Sequence, residues 1–400
     1  MSASTDSSVF GGEGRGTSLA RWRERLAEEQ ESALADGDVT ISCSAPVGTG
    51  GLGRHLQELL DAASRRGQTS HLISGADRDA GVSSDRASLP QALAARLLKL
   101  PIPLTPGVRA QASAAEFDAF AARRLPRAEQ LIAFNGQALE QFEAARRAGY
   151  RSTALVSANS HMRRVIRQHE LAIRQYPLEG SWASRMLKRN LREYEQAARV
   201  YVGSRYSHES FLEEGFAEDR LSWFPWSPHP RFDRASAPEP SDRFEVVYTG
   251  SLAVHKGVPL LIDAVRSLSH SDLRLRLVGG WGTRGMRKFV EQACAEDPRV
   301  VAGPGDPLAH LVGANLCVHP AFEDGFAYAP AEALACGVPA IVSEDTGMKY
   351  LIDSPQAGLI VPTGDLDALA SAIDAAYRGE LFGERQQADP GERARVRDDR

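Results

Sequence analysis

The sequence predicts an α/β protein built from two doubly wound, Rossmann-like domains facing across a cleft. Two patterns carry that prediction. From Asp38 onward, short apolar and β-branched runs alternate with helix-length amphipathic stretches, the pattern of βαβ units on a parallel sheet. Midway, SPHPRFDRASAPEPSD breaks the alternation with Pro, Ser and charge, the composition of a linker. The length of 400 residues fits, being about two or three domains at roughly 150 residues each.

Taken in order, residues up to about Thr17 are rich in Gly and Ser and read as a disordered arm. Leu19, Trp22 and Leu26 then recur at helical spacing, a narrow stripe suited to an appended helix that covers apolar surface. VTISCSAP is a short buried-type strand, followed by a glycine-rich turn and the helix GRHLQELLDAASRRG. Next come a strand at Ser70–Ser74, helical runs at Leu89–Leu100 and Ala114–Leu125, and strands at Gln130–Asn135 and Ser152–Ser157. A basic, helix-rich stretch runs from His161 to Ala197, then the strand ARVYVGS, a helix through Phe211 and a short strand at Leu221–Phe224. After the linker, strands read at FEVVYTG, LRLRLVG, RVVAG, LCVHP, PAIVS and GLIVP. Helices between them begin near Lys256, Thr283, Asp306, Phe326, Thr346 and Asp365. The expected limits are 1–37 for arm and helix, 38–226 and 244–379 for the domains, 227–243 for the linker and 380–400 for a charged tail.

The composition excludes several classes. An apolar fraction of 42% and a charged fraction of 25% belong to a globular chain. Forty-seven Lys and Arg against 52 Asp and Glu give a formal charge of −5, so no overall basic field for nucleic acid exists. Cys43, Cys294, Cys317 and Cys336 stand singly, without a CxxC pair, which suits a reducing compartment better than a disulfide framework or a zinc ribbon. No stretch approaches the ~18 uninterrupted apolar residues of a spanning helix. LLKLPIPLTP, the most apolar linker, is broken by Pro101, Pro103 and Pro106. A cytoplasmic protein with at most peripheral contact at the inner face of the membrane is expected.

Three segments carry chemistry. Gly48-Thr-Gly50-Gly-Leu-Gly53 satisfies G-x-G-x-x-G between a strand and a helix, where a backbone can approach an anion at the helix N-terminus. No acidic residue closes the second strand as a dinucleotide fold requires, which argues against nicotinamide chemistry. TGSLAVHKGVPLLIDAV puts Gly250 at a strand end and Lys256-Gly257 at a helix start. A cation there can neutralise a diphosphate beside the helix dipole, although a solvated surface lysine would look the same. HPAFEDGFAYAPAEALACGVPAIVSEDTGMKYLI carries Glu323-Asp324, Gly325-Phe326 and, eight residues beyond Asp324, Glu332. Carboxylates at a helix mouth accept hydrogen bonds from sugar hydroxyls, and free N–H groups after Gly325 meet phosphate oxygens. An acidic helix cap would account for Asp324 alone.

This last segment resembles the GT-B glycosyltransferases of the large retaining family 4, the "group 1" glycosyltransferases, and the resemblance spans roughly Asp38 to Arg378. The family's E-x7-E signature matches Asp324 to Glu332, and its following EA-ACG-P matches Ala333, Ala335, Cys336, Gly337 and Pro339. Its G-R-x4-K-G element matches Gly250, Lys256 and Gly257, with Ser251 in place of the arginine, and its N-terminal glycine loop matches Gly50, Gly51 and Gly53. SANSHMRRV is similar to the family's cleft-histidine segment, which makes His161 the corresponding residue.

The resemblance implies that Lys256 holds a donor diphosphate and that Glu332 binds the nucleotide ribose. Asp324 with the Gly325-Phe326 backbone would hold the transferred sugar, with Glu323 beside it and His161 facing the sugar from the N-terminal, acceptor-binding domain. The implied reaction is transfer of a hexose-type sugar from a nucleotide-sugar donor to a hydroxyl of a glycan, lipid-linked or small-molecule acceptor, with anomeric retention. A sugar-nucleotide epimerase on the same plan and a non-catalytic sugar-nucleotide-binding protein are the alternatives. Asp77-Arg-Asp79 and Asp36-Gly-Asp38 imitate a metal-binding DxD in turn-like surroundings, so no metal and no cofactor are expected. The basic run Arg163, Arg164, Arg167, Arg174, Arg185, Lys188, Arg189 and Arg192 is interspersed with Glu170, Glu179 and Glu193, which favours a solvated helix face over a site for an anionic acceptor.

Overall fold

The structure is a computed structural model that describes residues 15–75, 83–86, 106–233, 243–352 and 354–382. Two parallel sheets organise it, one of seven strands and one of six. The predicted α/β class and its doubly wound sheets are what the chain forms.

The first sheet is built from β1 (Val39–Cys43), β2 (Ser70–Ser74), β3 (Ser83–Arg86), β4 (Gln130–Phe134), β5 (Ser152–Ser157), β6 (Arg199–Val202) and β7 (Leu221–Trp223), in the order β3-β2-β1-β4-β5-β6-β7. Its central strands are wholly buried, because helices cover both faces of a parallel sheet and leave no solvated side. The helices are α1 (Arg15–Ala33), α2 (Gly50–Arg65), α3 (Pro106–Ala122), α4 (Leu139–Ala148), α5 (Met162–Gln175), α6 (Ala183–Gln196) and α7 (Arg205–Glu213). Helix α1 buries Trp22 and Leu26 and is tied down where Gln30 donates to Pro225 O and Tyr201 Oη donates to Ala33 O. The helix expected at Ala114–Leu125 starts earlier, at Pro106, where the missing N–H costs nothing. The edge strand β3, SSDR, was not expected. It pairs in parallel with β2, with His71 opposite Ser83 through Ser74 opposite Arg86, and its sequence carries no apolar pattern to read. The expected helix at Leu89–Leu100, Asp77 and Asp79, most of the LLKLPIPLTP linker, residues 1–14 and the tail from 383 lie outside the described residues.

The second sheet takes β8 (Phe244–Thr249), β9 (Leu273–Val278), β10 (Val300–Gly303), β11 (Leu316–His319), β12 (Ala340–Ser343) and β13 (Gly358–Val361) in the order β10-β9-β8-β11-β12-β13. Between them run α8 (Val258–Ser267), α9 (Arg284–Glu296), α10 (Pro307–Leu311), α11 (Tyr328–Ala335) and α12 (Leu366–Tyr377). Thr283, Asp306 and Asp365 cap α9, α10 and α12 through side-chain oxygens, a preferred use of these residue types. One expectation fails. No α-helix begins near Thr346, where a single 3-10 turn spans Gly347–Tyr350. The backbone there is engaged by the loop after β11, since Asp324 N–H donates to Asp345 O and Gly347 N–H to Asp324 O.

By their contacts the residues form two units, one holding Glu24–His169 and Gly180–Trp226, the other the stretch up to Arg23, Glu170–Glu179 and the chain from Ser227. The chain therefore leaves the first unit within α5 and re-enters it ten residues later. That segment is pinned in the second unit. Tyr176 Oη donates to Asp263 at 3.0 Å, and Val254 N–H donates to Glu179 Oε1 at 2.9 Å.

Candidate donor site

In an open parallel sheet, ligands bind beyond the carboxyl ends of the strands where the strand order reverses. In the second sheet the reversal lies between β8 and β11, which pair in parallel through Leu316–Val246 and Cys317–Val247. The loops that leave these two strands carry Gly250, Ser251 and Lys256 on one side and Glu323, Asp324, Gly325 and Phe326 on the other. The sheet topology thus brings together two segments some 70 residues apart in sequence.

Their meeting point is an ion pair. Lys256 Nζ stands 2.8 Å from Asp324 Oδ2 and 3.4 Å from the Glu323 carbonyl oxygen. Both charged side chains are mostly buried, 18% and 19% exposed. His319, the last residue of β11, approaches the same Oδ2 through Nε2 at 3.0 Å. The other carboxylate oxygen accepts the Ala327 N–H at 3.0 Å. Burial alone would raise the Asp324 pKa, but the Lys256 ammonium and the His319 hydrogen bond outweigh it and hold the carboxyl far below the usual carboxylate range. Asp324 is ionised throughout the physiological range.

The backbone around the pair is shaped for it. Gly257 adopts φ +71° between the Val254–Lys256 turn and α8, and a Cβ there would lie 1.9 Å from the Pro320 carbonyl oxygen. No other residue type fits that approach. Helix α11 begins two residues later than expected, at Tyr328, because Ala327 takes the left-handed conformation at φ +66°. A non-glycine residue there is strained, and such strain persists where surrounding contacts over-determine it. The Ala327 N–H held by Asp324 is one such contact.

The remaining predicted residues fall into three places. Glu323 is fully buried, and Glu332, on α11, is 1% exposed. Burial pushes the Cys336 thiol up to about 12, and the neighbouring Glu332 adds to that shift. Gly50, Gly51 and Gly53 open α2 in the other unit. Gly50 and Gly51 are exposed, while a Cβ on Gly53 would meet the Pro46 carbonyl oxygen at 2.0 Å, so Gly53 serves the closure of its own loop. His161, also in that unit, is 4% exposed and packs between Tyr194 and Phe211 with ring centroids 5.0 Å away in each case. Its N–H donates to Ser210 Oγ and its Nδ1 accepts the Arg163 N–H. Burial lowers its pKa to about 4, the Glu214 carboxylate opposing that shift, so the ring is neutral at pH 7.

Two groups at the site were not anticipated, His319 and Tyr248. Tyr248, in β8, is fully buried, lies parallel to the His319 ring at 3° with centroids 5.7 Å apart, and donates its hydroxyl to Ser251 O at 2.8 Å. In sequence both lie in the strand runs FEVVYTG and LCVHP and carry no separate signal. Of the basic run, Arg163, Arg164, Arg167, Arg174 and Arg189 each reach a carboxylate, leaving Arg185, Lys188 and Arg192 exposed on α6. Asp36 pairs with Arg66.

Residues 231–397 match the family model described as glycosyl transferases group 1. Among curated proteins, the capsular polysaccharide biosynthesis glycosyltransferase CapM of Staphylococcus aureus is 26% identical over 149 residues, covering 36% of this chain and 39% of that protein. The matched stretch spans about two fifths of the length of such relatives. Among solved structures, sucrose-phosphate synthase from Thermosynechococcus elongatus superposes with a TM-score of 0.66 at 19% identity, over 87% of this chain and 92% of that one. HepE of Anabaena, solved with UDP-glucose, superposes at 0.59 and 17% identity, over 86% and 91%. The chain has the GT-B fold of these glycosyltransferase structures, and its residues 231–397, with Lys256, Asp324 and Glu332 among them, match the glycosyl transferases group 1 model.

Proposed function

We propose that this protein is a retaining glycosyltransferase that moves a hexose-type sugar from a nucleotide-sugar donor to a hydroxyl of a glycan, lipid-linked or small-molecule acceptor. One observation carries the reading: a mostly buried lysine and an ionised aspartate meet where the strand order of the C-terminal sheet reverses. On this reading Lys256 exchanges part of its contact with Asp324 for the donor diphosphate and offsets the charge of the departing nucleotide. Asp324 then accepts hydrogen bonds from sugar hydroxyls, Glu332 serves the ribose, and His161 belongs to the acceptor side. The donor phosphate itself takes the acceptor proton.

The UDP-glucose bound by HepE supports a nucleotide-sugar donor, and the biosynthetic role in the name of CapM supports a polysaccharide or glycoconjugate product. A cytoplasmic setting belongs to the same proposal and is supported by four free thiols. Among the described residues no helix is long and apolar enough to cross a membrane.

The test is a thermal-shift panel of UDP, GDP, ADP, UDP-glucose and GDP-mannose on the wild type and Lys256→Ala. A ligand at 100 times its Kd adds about 2.7 kcal/mol to stability, and Lys256→Ala is expected to abolish that gain. An undiminished shift in the variant removes the diphosphate from this site. Conversion of the sugar in a donor-only incubation would make the protein an epimerase instead.

A further inference from the structure

Lys256 has two claimants in the donor site. Without ligand its ammonium is held by Asp324 Oδ2 at 2.8 Å. A diphosphate must draw it away, at least in part, and a mostly buried carboxylate oxygen that loses its partner costs free energy unless another donor stays behind. His319 is placed to be that donor. Its Nε2 already lies 3.0 Å from the same oxygen, and an ionised carboxylate can only accept, so the ring proton sits on Nε2. The side chain is 4% exposed, and its Nδ1 has no hydrogen-bond partner. Turning the ring over would therefore give up the Asp324 bond for none. Tyr248 lies parallel to the ring and is anchored through its hydroxyl to Ser251 O, so one stack fixes both the histidine and the loop that presents Lys256.

We propose that His319 is a positioning residue of the donor site: its Nε2–H keeps Asp324 oriented and hydrogen-bonded while Lys256 turns to the donor diphosphate. The inference rests on the donor-site reading above. It assigns to a residue outside the E-x7-E signature the task of making that lysine available.

The amide nitrogen of glutamine reaches where histidine Nε2 stands, whereas that of asparagine stops near Nδ1. His319→Gln therefore retains the donor to Asp324 and His319→Asn removes it, both staying polar. The experiment is calorimetric titration of UDP and of GDP into the full-length wild type, His319→Gln, His319→Asn, Asp324→Asn and the double variant Asp324→Asn/His319→Asn, with Lys256→Ala in parallel. Removing a hydrogen bond to a charged group weakens the interaction by about an order of magnitude or more. The Kd of whichever nucleotide binds is accordingly expected to rise at least tenfold in His319→Asn. It should stay within about threefold of wild type in His319→Gln, and His319→Asn should add less than twofold on the Asp324→Asn background. A Kd unchanged by His319→Asn overturns the proposal. So does an equal loss in the Asp324→Asn background, which would make the residue a packing partner of Tyr248 only. If neither nucleotide binds the wild type, or Lys256→Ala binds as well as wild type, the donor-site reading itself fails. If Lys256→Ala abolishes binding while His319→Asn changes nothing, the donor site stands and the role of His319 falls.

Discussion

Replacing Asp324 by Asn keeps the side chain's shape and its acceptor for the Ala327 N–H but removes the charge that faces Lys256 and His319. Breaking a buried ion pair from one side costs about 3–5 kcal/mol. With about a fifth of each side chain exposed, solvent screens part of this, leaving about 2–3 kcal/mol at pH 7. For a unit of this size a loss of 1 kcal/mol lowers the midpoint by about 2–4 °C, so the melting transition of the C-terminal unit should fall by roughly 5–10 °C. The pH dependence gives the sharper check. The Asp324 pKa is depressed in the folded state, so its contribution is present above the ordinary carboxylate pKa near ~4 and is lost as the pH falls below it. Scanning calorimetry at pH 7 and pH 3 should show the gap between wild type and Asp324→Asn narrowing on acidification. A gap equally wide at both values, or smaller than about 1 °C at pH 7, refutes the claim that the charged pair organises the site.

Three further outcomes are expected. Gly257→Ala places a methyl group against the Pro320 carbonyl at a positive φ, so it should cost more than about 2 kcal/mol in chemical denaturation of the C-terminal unit; a smaller loss would show that the two loops are not in close contact. Ala327→Gly relieves a left-handed alanine at the expense of a more flexible unfolded chain, for a net gain of about 0.5–1 kcal/mol, and a lowered melting point would contradict the strain. In the N-terminal unit, burial pushes Glu193 up to about 7 although Ala138 and Gly136 N–H groups donate to it. A raised pKa contributes stability that is complete below about pH 4.5 and is lost as the pH rises through about 7. Urea denaturation of that unit should therefore weaken between pH 5 and 8, and a flat profile would count against a titrating Glu193.

The alternation of strand and helix was legible in the C-terminal half because the strands there are short runs rich in Val, Leu and Ile, continuous in AIVS and GLIV and alternating with Arg in LRLRLV, and most helices open on a side-chain cap. What stayed hidden was structure that leaves no side-chain pattern. Strand β3 carries no apolar run. The turn at Gly347–Tyr350 is decided by a loop 20 residues earlier, which no local propensity reports. At the candidate site, Lys256 and Asp324 could be singled out as motif residues, but their 2.8 Å contact depends on β8 and β11 being neighbours. His319 and Tyr248 went unread for the same reason. A tyrosine inside one strand and a histidine ending another carry no separate signal until the strand order puts the two rings face to face. The Asp324 carboxylate does not cap α11, whose N-cap is Ala327 without a side-chain cap bond; it holds the Ala327 N–H with one oxygen and Lys256 with the other.

The ten residues from Glu170 to Glu179 have a practical consequence for anyone dividing this protein. Cutting the gene at the Pro-rich junction after Trp226 looks natural, yet the downstream piece would forfeit Tyr176 and Glu179, and with them the anchors on Asp263 and on Val254, two residues before Lys256. Recombining halves from different parents at that junction would graft a foreign strap onto the lysine loop. Chimeras of this protein should be expected to keep the Lys256 loop in its native setting when residues 170–179 travel with the second half rather than with the first.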